Sequence, residues 1–193
     1  IYDLWRLRQR GRLRHVPVYL DSPMATNATV LLHRHSDDHK LTQHDFEAAF
    51  SEVTYVRDVE ESKALSANRY PKVIISASGM ATGGRVLHHI EAFGGIHQNT
   101  LLFSGFQAAG TRGRKLLEGA REVKIHGRWM PINAEVAELP MLSAHADSDE
   151  LMRWLGGFTR APEGVFIVHG ESDASEALRE RIQRELNWHA SVP

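Results

Sequence analysis

Two histidines stand in short segments that could place them for metal or proton chemistry. One lies in Leu142-Ser143-Ala144-His145-Ala146-Asp147, the other in Phe166-Ile167-Val168-His169-Gly170-Glu171, 24 positions later. The apolar run Val165 to Val168 reads as a buried strand, so His169 falls at a strand's carboxyl end, where α/β proteins gather their ligands. Imidazole ligates metals and titrates near neutral pH. Asp147 and Ser148 are suited to cap the next helix, which is the plain reading of Asp147, and capping leaves open a role in orienting a neighbouring histidine.

Two Gly-containing loops offer a second kind of chemistry. Ser76-Ala77-Ser78-Gly79-Met80-Ala81-Thr82-Gly83-Gly84-Arg85 follows an apolar run and opens a helical pattern. Small residues there let backbone N–H groups approach an anion, and a helix N-terminus favours negative charge. Arg85 is placed to fork onto a phosphate. The ending is not that of a P-loop, and the spacing is not a dinucleotide fingerprint. A tight turn with glycines at positive φ explains the same residues. The second loop, Ser104-Gly105-Phe106-Gln107-Ala108-Ala109-Gly110-Thr111-Arg112-Gly113-Arg114, repeats the arrangement. In a parallel sheet both loops open at one edge. Arg85, Arg112 and Arg114 would then face a polyanion, with Phe106 available for stacking; exposed arginines at helix starts are the plain alternative.

Other histidines carry less. His33-Arg34-His35-Ser36-Asp37-Asp38-His39 nearly spells the dinuclear metal signature H-x-H-x-D-H, but Asp38 stands where histidine is required and His39 comes one residue late. It also follows a helix rather than a strand, so it reads as a solvated polar segment. His88-His89, His15, His44, His97, His126 and His189 read as surface or internally satisfied histidines.

The elements that must position these residues follow a strand–turn–helix rhythm from Val16. Strands are expected at 16–20, 53–57, 73–76 and 100–104, with helices after Asp21-Ser22-Pro23, at 59–67, 84–93 and 111–119. That alternation argues a parallel sheet flanked by helices. After Gly119 the pattern shifts to short strands of a meander up to Leu139, then a helix at 149–155, the strand at 165–168 and a long helix at 174–188. A domain transition is expected near 120. Residues 1–14 read as a helix stopped at Gly11, its alternating arginines forming a solvated face.

Composition bounds the function. The net charge of −1 excludes a polycation, so nucleic-acid contact must come from local patches. Arginine outnumbers lysine 18 to 5, which suits phosphate recognition and equally reflects genomic base composition. Cysteine is absent, which removes disulfides and thiolate metal sites and leaves His, Asp and Glu as metal donors. No apolar run reaches the length of a membrane span. The chain opens at Ile1 with no initiator Met, and reads as part of something longer.

Asp21-Ser22-Pro23-Met24-Ala25, Ser78-Gly79-Met80-Ala81-Thr82-Gly83-Gly84-Arg85, Gly105-Phe106-Gln107 with Gly110-Thr111-Arg112-Gly113-Arg114, the His145 segment and Val168-His169-Gly170-Glu171 occur here in one order. In that order they resemble the beta-CASP family, the RNA- and DNA-processing nucleases of the metallo-beta-lactamase superfamily, and are most similar to its prokaryotic mRNA-processing branch. The resemblance implies an α/β fold: a parallel-sheet beta-CASP domain at 1–120, followed at 121–193 by the C-terminal, RNA-specificity part of a metallo-beta-lactamase αββα sandwich. It implies that His145 is a proton donor to the leaving oxygen and that His169 ligates one of two zinc ions. It further implies that Ser78, Gly79, Thr82, Gly83, Arg85, Gln107, Arg112 and Arg114 grip the RNA backbone. The family's H-x-H-x-D-H ligands have no counterpart in this chain, which is therefore expected neither to hold a dinuclear zinc site nor to cleave RNA by itself. A cytoplasmic ribonuclease component with RNA as partner, no membrane association and a homodimer through exposed strand edges completes the expectation. Two alternatives stand beside it: a non-catalytic RNA-binding or assembly module of the same family, and a nucleotide- or sugar-binding α/β domain that uses the two loops.

Overall fold

The computed structural model describes residues 1–142 and 144–193, so Ser143 of the His145 segment lies outside the described residues. The chain forms two compact units, Ile1–Leu139 and Pro140–Pro193.

The first unit is built on β1 (Val18–Asp21), whose apolar side chains alternate with Tyr19 between two parallel neighbours. β2 (Val53–Tyr55) and β3 (Val73–Ser76) flank it, giving the order β2-β1-β3 with Leu20 opposite Tyr55 on one side and Ile75 on the other. Parallel neighbours require crossovers, and helices supply them. α2 (Pro23–Arg34) starts as its sequence dictates: Pro23 takes the first helical position and the Ser22 side chain accepts from the Ala25 N–H. α3 (Gln43–Ser51) and α4 (Val59–Ala67) are capped in the same way by Thr42 and Asp58. α1 (Tyr2–Gln9) precedes the sheet and ends before Gly11, whose φ is +64°. Val18, Leu20 and Val53 form the sheet's small core with Ile1, Leu4 and Ile75 against it.

α5 (Arg85–Phe93), β4 (Thr100–Phe103) and α6 (Arg112–Leu117) follow. β4 is not a further strand of the first sheet. It pairs in parallel with β7 (Glu135–Glu138), in register Thr100↔Glu135 to Phe103↔Glu138. β5 (Glu122–Ile125) and β6 (Arg128–Pro131) form an antiparallel hairpin. The expected meander is therefore a hairpin plus a strand that pairs non-locally, a partnership that hydropathy alone does not encode.

The hairpin also settles where packing divides the chain. Val123, Ile125 and Ile132 are buried with Leu87, Ile90, Phe103 and Leu116 in one cluster. The first unit, Ile1–Leu139, thus includes the hairpin, which lies beyond the transition expected near 120.

The second unit holds α7 (Ser148–Leu155), β8 (Val165–Phe166), α8 (Ser172–Leu186) and β9 (Ala190–Ser191), with β8 and β9 parallel. Its core is Met152, Leu155, Ile182 and Ala190, with Val165, Leu178 and Trp188 packed on it. No described helix is long and apolar enough to cross a membrane.

Ile125 is fully buried in the first unit's core. Ile125→Ala is expected to cost about 2–5 kcal/mol in urea unfolding. Amide exchange should accelerate in β5, α5 and α6 and remain unchanged in α8. Acceleration in α8 instead would place the hairpin with the second unit.

Candidate functional site

The first unit's polar centre is Asp21, the last residue of β1 and fully buried. Its Oδ1 accepts from Arg85 Nη1 at 2.6 Å. Its Oδ2 accepts from the Ser62 hydroxyl at 2.6 Å and from His89 Nε2 at 2.7 Å. One carboxylate thereby joins β1 to α4 through Ser62 and to α5 through Arg85 and His89. A buried charge is tolerated when it is paired and its lone pairs are filled, and here both conditions hold. Burial alone would raise the Asp21 pKa. The hydrogen bonds from Ser62, Arg85 and His89 outweigh it and hold the carboxyl below its ordinary value. Burial lowers the His89 pKa, only partly offset by the bond to Asp21. The Ser66 hydroxyl lies 3.0 Å from His89 Nδ1. A neutral imidazole with its proton on Nε2 satisfies both neighbours.

This network holds the Gly-rich turn that links β3 to α5. Ser76 donates to the Asp21 carbonyl at 3.0 Å, and Gly84, at φ +78°, allows the approach to the Ala77 carbonyl that a Cβ would meet at 2.7 Å. Within the turn the Ser78 hydroxyl accepts from the Thr82 N–H and lies 3.1 Å from the Thr82 hydroxyl. Gly79 is exposed and Gly83 half-buried, with open space where a side chain would stand.

The loop between β4 and α6 is clasped onto this turn. Gln107 is buried, and its Nε2 donates to the carbonyls of Gly79, Gly105 and Phe106 at 2.8–3.2 Å. The Gly113 N–H donates to the Met80 carbonyl at 3.0 Å. A Cβ on Gly113 would come within 1.7 Å of Gln107 Oε1, so glycine is what lets the two loops close. The structure therefore brings Ser78, Gly79, Thr82, Gly83 and Gln107 together, although β3 and β4 belong to separate sheets and not to the one parallel sheet whose shared edge the loop reading assumed.

The arginines are directed differently. The sequence aimed Arg85 and Arg112 at a polyanion, but the fold uses both internally. Arg85 lies on Asp21 and the carbonyls of Val56 and Arg57. Arg112 donates to the carbonyls of Lys124, Ala81 and Thr82, fastening α6 to β5 and to the turn. Carbonyls left over at a turn need donors, and a guanidinium supplies several at once. Arg114 is exposed and pairs with Glu118 at 2.6 Å.

In the second unit His145 and His169 lie in separate bends of the chain. His145 is exposed in the segment before α7, where Asp147 caps the helix and Glu150 completes a capping box. Asp147 thus serves as the helix cap. His169 is exposed beyond the carboxyl end of β8, with φ +69°. The following turn packs closely: a Cβ on Gly170 would meet the buried Ser175 Oγ at 2.1 Å. Neither histidine belongs to a group of three metal-ligating side chains among the described residues. Two imidazoles fall short of a four-coordinate zinc set, so the donors present here do not fit a complete dinuclear site. Of the histidines read as satisfied, His89 is the clear instance. The importance of Asp21 was hidden, since Asp-Ser-Pro reads simply as a helix-capping turn.

Comparison with known proteins adds to this geometry. Residues 1–116 match the family model of the Beta-Casp domain, and residues 129–193 match the Zn-dependent metallo-hydrolase RNA specificity domain. Ribonuclease TTHA0252 of Thermus thermophilus is 38% identical over 86% of this chain and 39% of its own length. Transcription termination factor FttA of Methanosarcina mazei is 31% identical over 92% of this chain and 30% of its own. An RNase J-like protein of Methanocaldococcus jannaschii is 31% identical over 95% and 42%. The chain spans about two fifths or less of each of these relatives.

The buried pair sets an acid limit. With His89 held below its ordinary value, the unfolded chain takes up a proton that the folded one refuses as pH falls below about 6.5. Stability is then lost on that side. A second loss follows below about 3.9 as Asp21, also held low, approaches protonation. His89→Gln, which keeps a donor for Asp21, is expected to shrink the stability difference between about pH 7.5 and about pH 5 in urea unfolding. Asp21→Ala should cost about 3–5 kcal/mol, because it strands the half-buried Arg85 cation and the buried His89 imidazole. An unchanged pH dependence in His89→Gln would contradict the neutral assignment.

Proposed function

The chain belongs to the Beta-Casp family, with the RNA specificity domain of Zn-dependent metallo-hydrolases behind it, and from that premise we propose that it is the RNA-gripping part of a zinc-dependent ribonuclease that hydrolyses phosphodiester bonds. The observation that carries the reading is the clasp of the two strand-to-helix loops through Gln107 and Arg112. It presents the Ser78 and Thr82 hydroxyls, the small-residue turn at Gly79 and Gly83, and the exposed Arg114 on one unit. Arg85 and Arg112 hold the shape of that surface from beneath, and Arg112, bonded only to carbonyls, adds positive charge there. Phosphate recognition by backbone and hydroxyl groups is largely indifferent to base sequence.

In the second unit His169, as a neutral imidazole, is the residue assigned to hold one of two zinc ions. The remaining donors belong to other segments of the complete enzyme. When bound, zinc makes water acidic near neutral pH and steadies charge on the phosphate. His145 is assigned the proton delivered to the leaving oxygen. RNA is the partner this reading names, in the cytoplasm, with self-association through exposed strand edges as a further part of the proposal. The chain taken alone binds RNA without cleaving it.

The 193-residue chain is expected to bind an oligoribonucleotide far better than a mononucleotide. That binding is expected to weaken measurably as salt rises from about 50 to about 200 mM. Equal affinity for the mononucleotide, without salt dependence, would instead support a nucleotide-binding domain. In a protein that carries the other metal donors as well, His145→Ala should slow cleavage about 10²–10⁴-fold while RNA affinity is retained. Undiminished cleavage in that variant removes His145 from the chemistry.

A further inference from the structure

The β5–β6 hairpin turns through two residues, His126 and Gly127, with φ of +47° and +83°. A two-residue turn with both central φ values positive prefers Asn-Gly or Asp-Gly. Histidine tolerates the left-handed region better than most side chains but is not the residue this turn prefers, which is grounds for asking what its side chain does.

That side chain lies against α5. The His126 ring stacks on His88 with centroids 4.6 Å apart, and its Nδ1 is 3.3 Å from Glu91 Oε2. His88 and Glu91 are three apart on α5 and so share a face. Arg128, the first residue of β6, donates to the other Glu91 oxygen at 2.6 Å. One donor atom from each of His88, Glu91 and His126 lies within 4.8 Å of the others, which no other three described side chains achieve.

We propose that His88, Glu91 and His126 bind one divalent transition-metal ion of the Zn²⁺ class, fastening the hairpin turn to α5. Two imidazoles and one carboxylate select such an ion over Mg²⁺ or Ca²⁺, which prefer oxygen-only cages. Tetrahedral zinc with bonds of about 2.0–2.1 Å sets its donors about 3.4 Å apart. The His126–Glu91 spacing already meets that value. His88 is exposed and reaches it by side-chain rotation. The Arg128 bond leaves Oε2 as the ligating oxygen and orients it, the usual role of an outer partner to a metal carboxylate. Three protein donors leave one position for water. This site belongs wholly to the first unit and is independent of the nuclease reading.

The test is zinc titration by calorimetry of the 193-residue chain carrying His169→Ala, so that the histidine assigned to the other site contributes nothing. One equivalent of Zn²⁺ is expected to bind and to raise the melting temperature. His126→Asn, which suits the left-handed turn, and Glu91→Gln should each weaken binding at least about tenfold. His97→Ala, a change at an exposed histidine outside the cluster, should leave it unaltered. Circular dichroism confirms that each variant is folded. Zinc affinity in folded His126→Asn and Glu91→Gln equal to that of the parent, or no zinc binding by the parent, overturns the proposal.

Discussion

A single buried carboxylate organises the first unit. Asp21 ends the central strand, where a charge has no water, and three donors from two helices converge on it. Removing any one leaves the rest under-satisfied, so the arrangement of β1, α4 and α5 is fixed together rather than piece by piece. The Gly-rich turn inherits that rigidity through Ser76, Gly84 and the first residue of α5. If this surface meets a flexible polyanion as proposed, binding orders the ligand and not the protein.

The two arginines that looked most like phosphate ligands are part of this scaffold. Arg85 neutralises Asp21, and Arg112 ties α6 to the carbonyls of the turn. The donors of both guanidiniums are occupied within the fold, and the Arg85 charge is offset by the Asp21 carboxylate. What faces outward is a small-residue turn, two hydroxyls and Arg114. That composition suits recognition of a sugar-phosphate backbone rather than of bases. The second unit is organised separately: the capping box at Asp147 and the tight Gly170–Ser175 contact shape the bends that carry His145 and His169.

Much of this was legible in the sequence, and the division is physical. α4 at Val59–Ala67 and β3 at Val73–Ser76 have the bounds the pattern predicts, since local periodicity and the Asp58 cap specify them. Pro23 and Ser22 behave as their types require. The pairing of β4 with β7 was not legible, because parallel partners are chosen by tertiary packing. The direction of a guanidinium was equally hidden: Arg85 and Arg112 at helix starts look identical whether they face a ligand or a buried acid. His126 gave no signal either, because its neighbours on α5 are distant in sequence and meet it only through the hairpin turn.

The claim on which the functional account rests is that the clasped loops are where RNA is held. Amide-resolved NMR of the 193-residue chain, titrated with a short oligoribonucleotide, tests it most directly. The account predicts shifts concentrated at Ser78, Gly79, Thr82 and Gly83 and at Ala108–Thr111, with little change in α2 or α8. Shifts centred elsewhere, or an identical pattern with a mononucleotide, would contradict it.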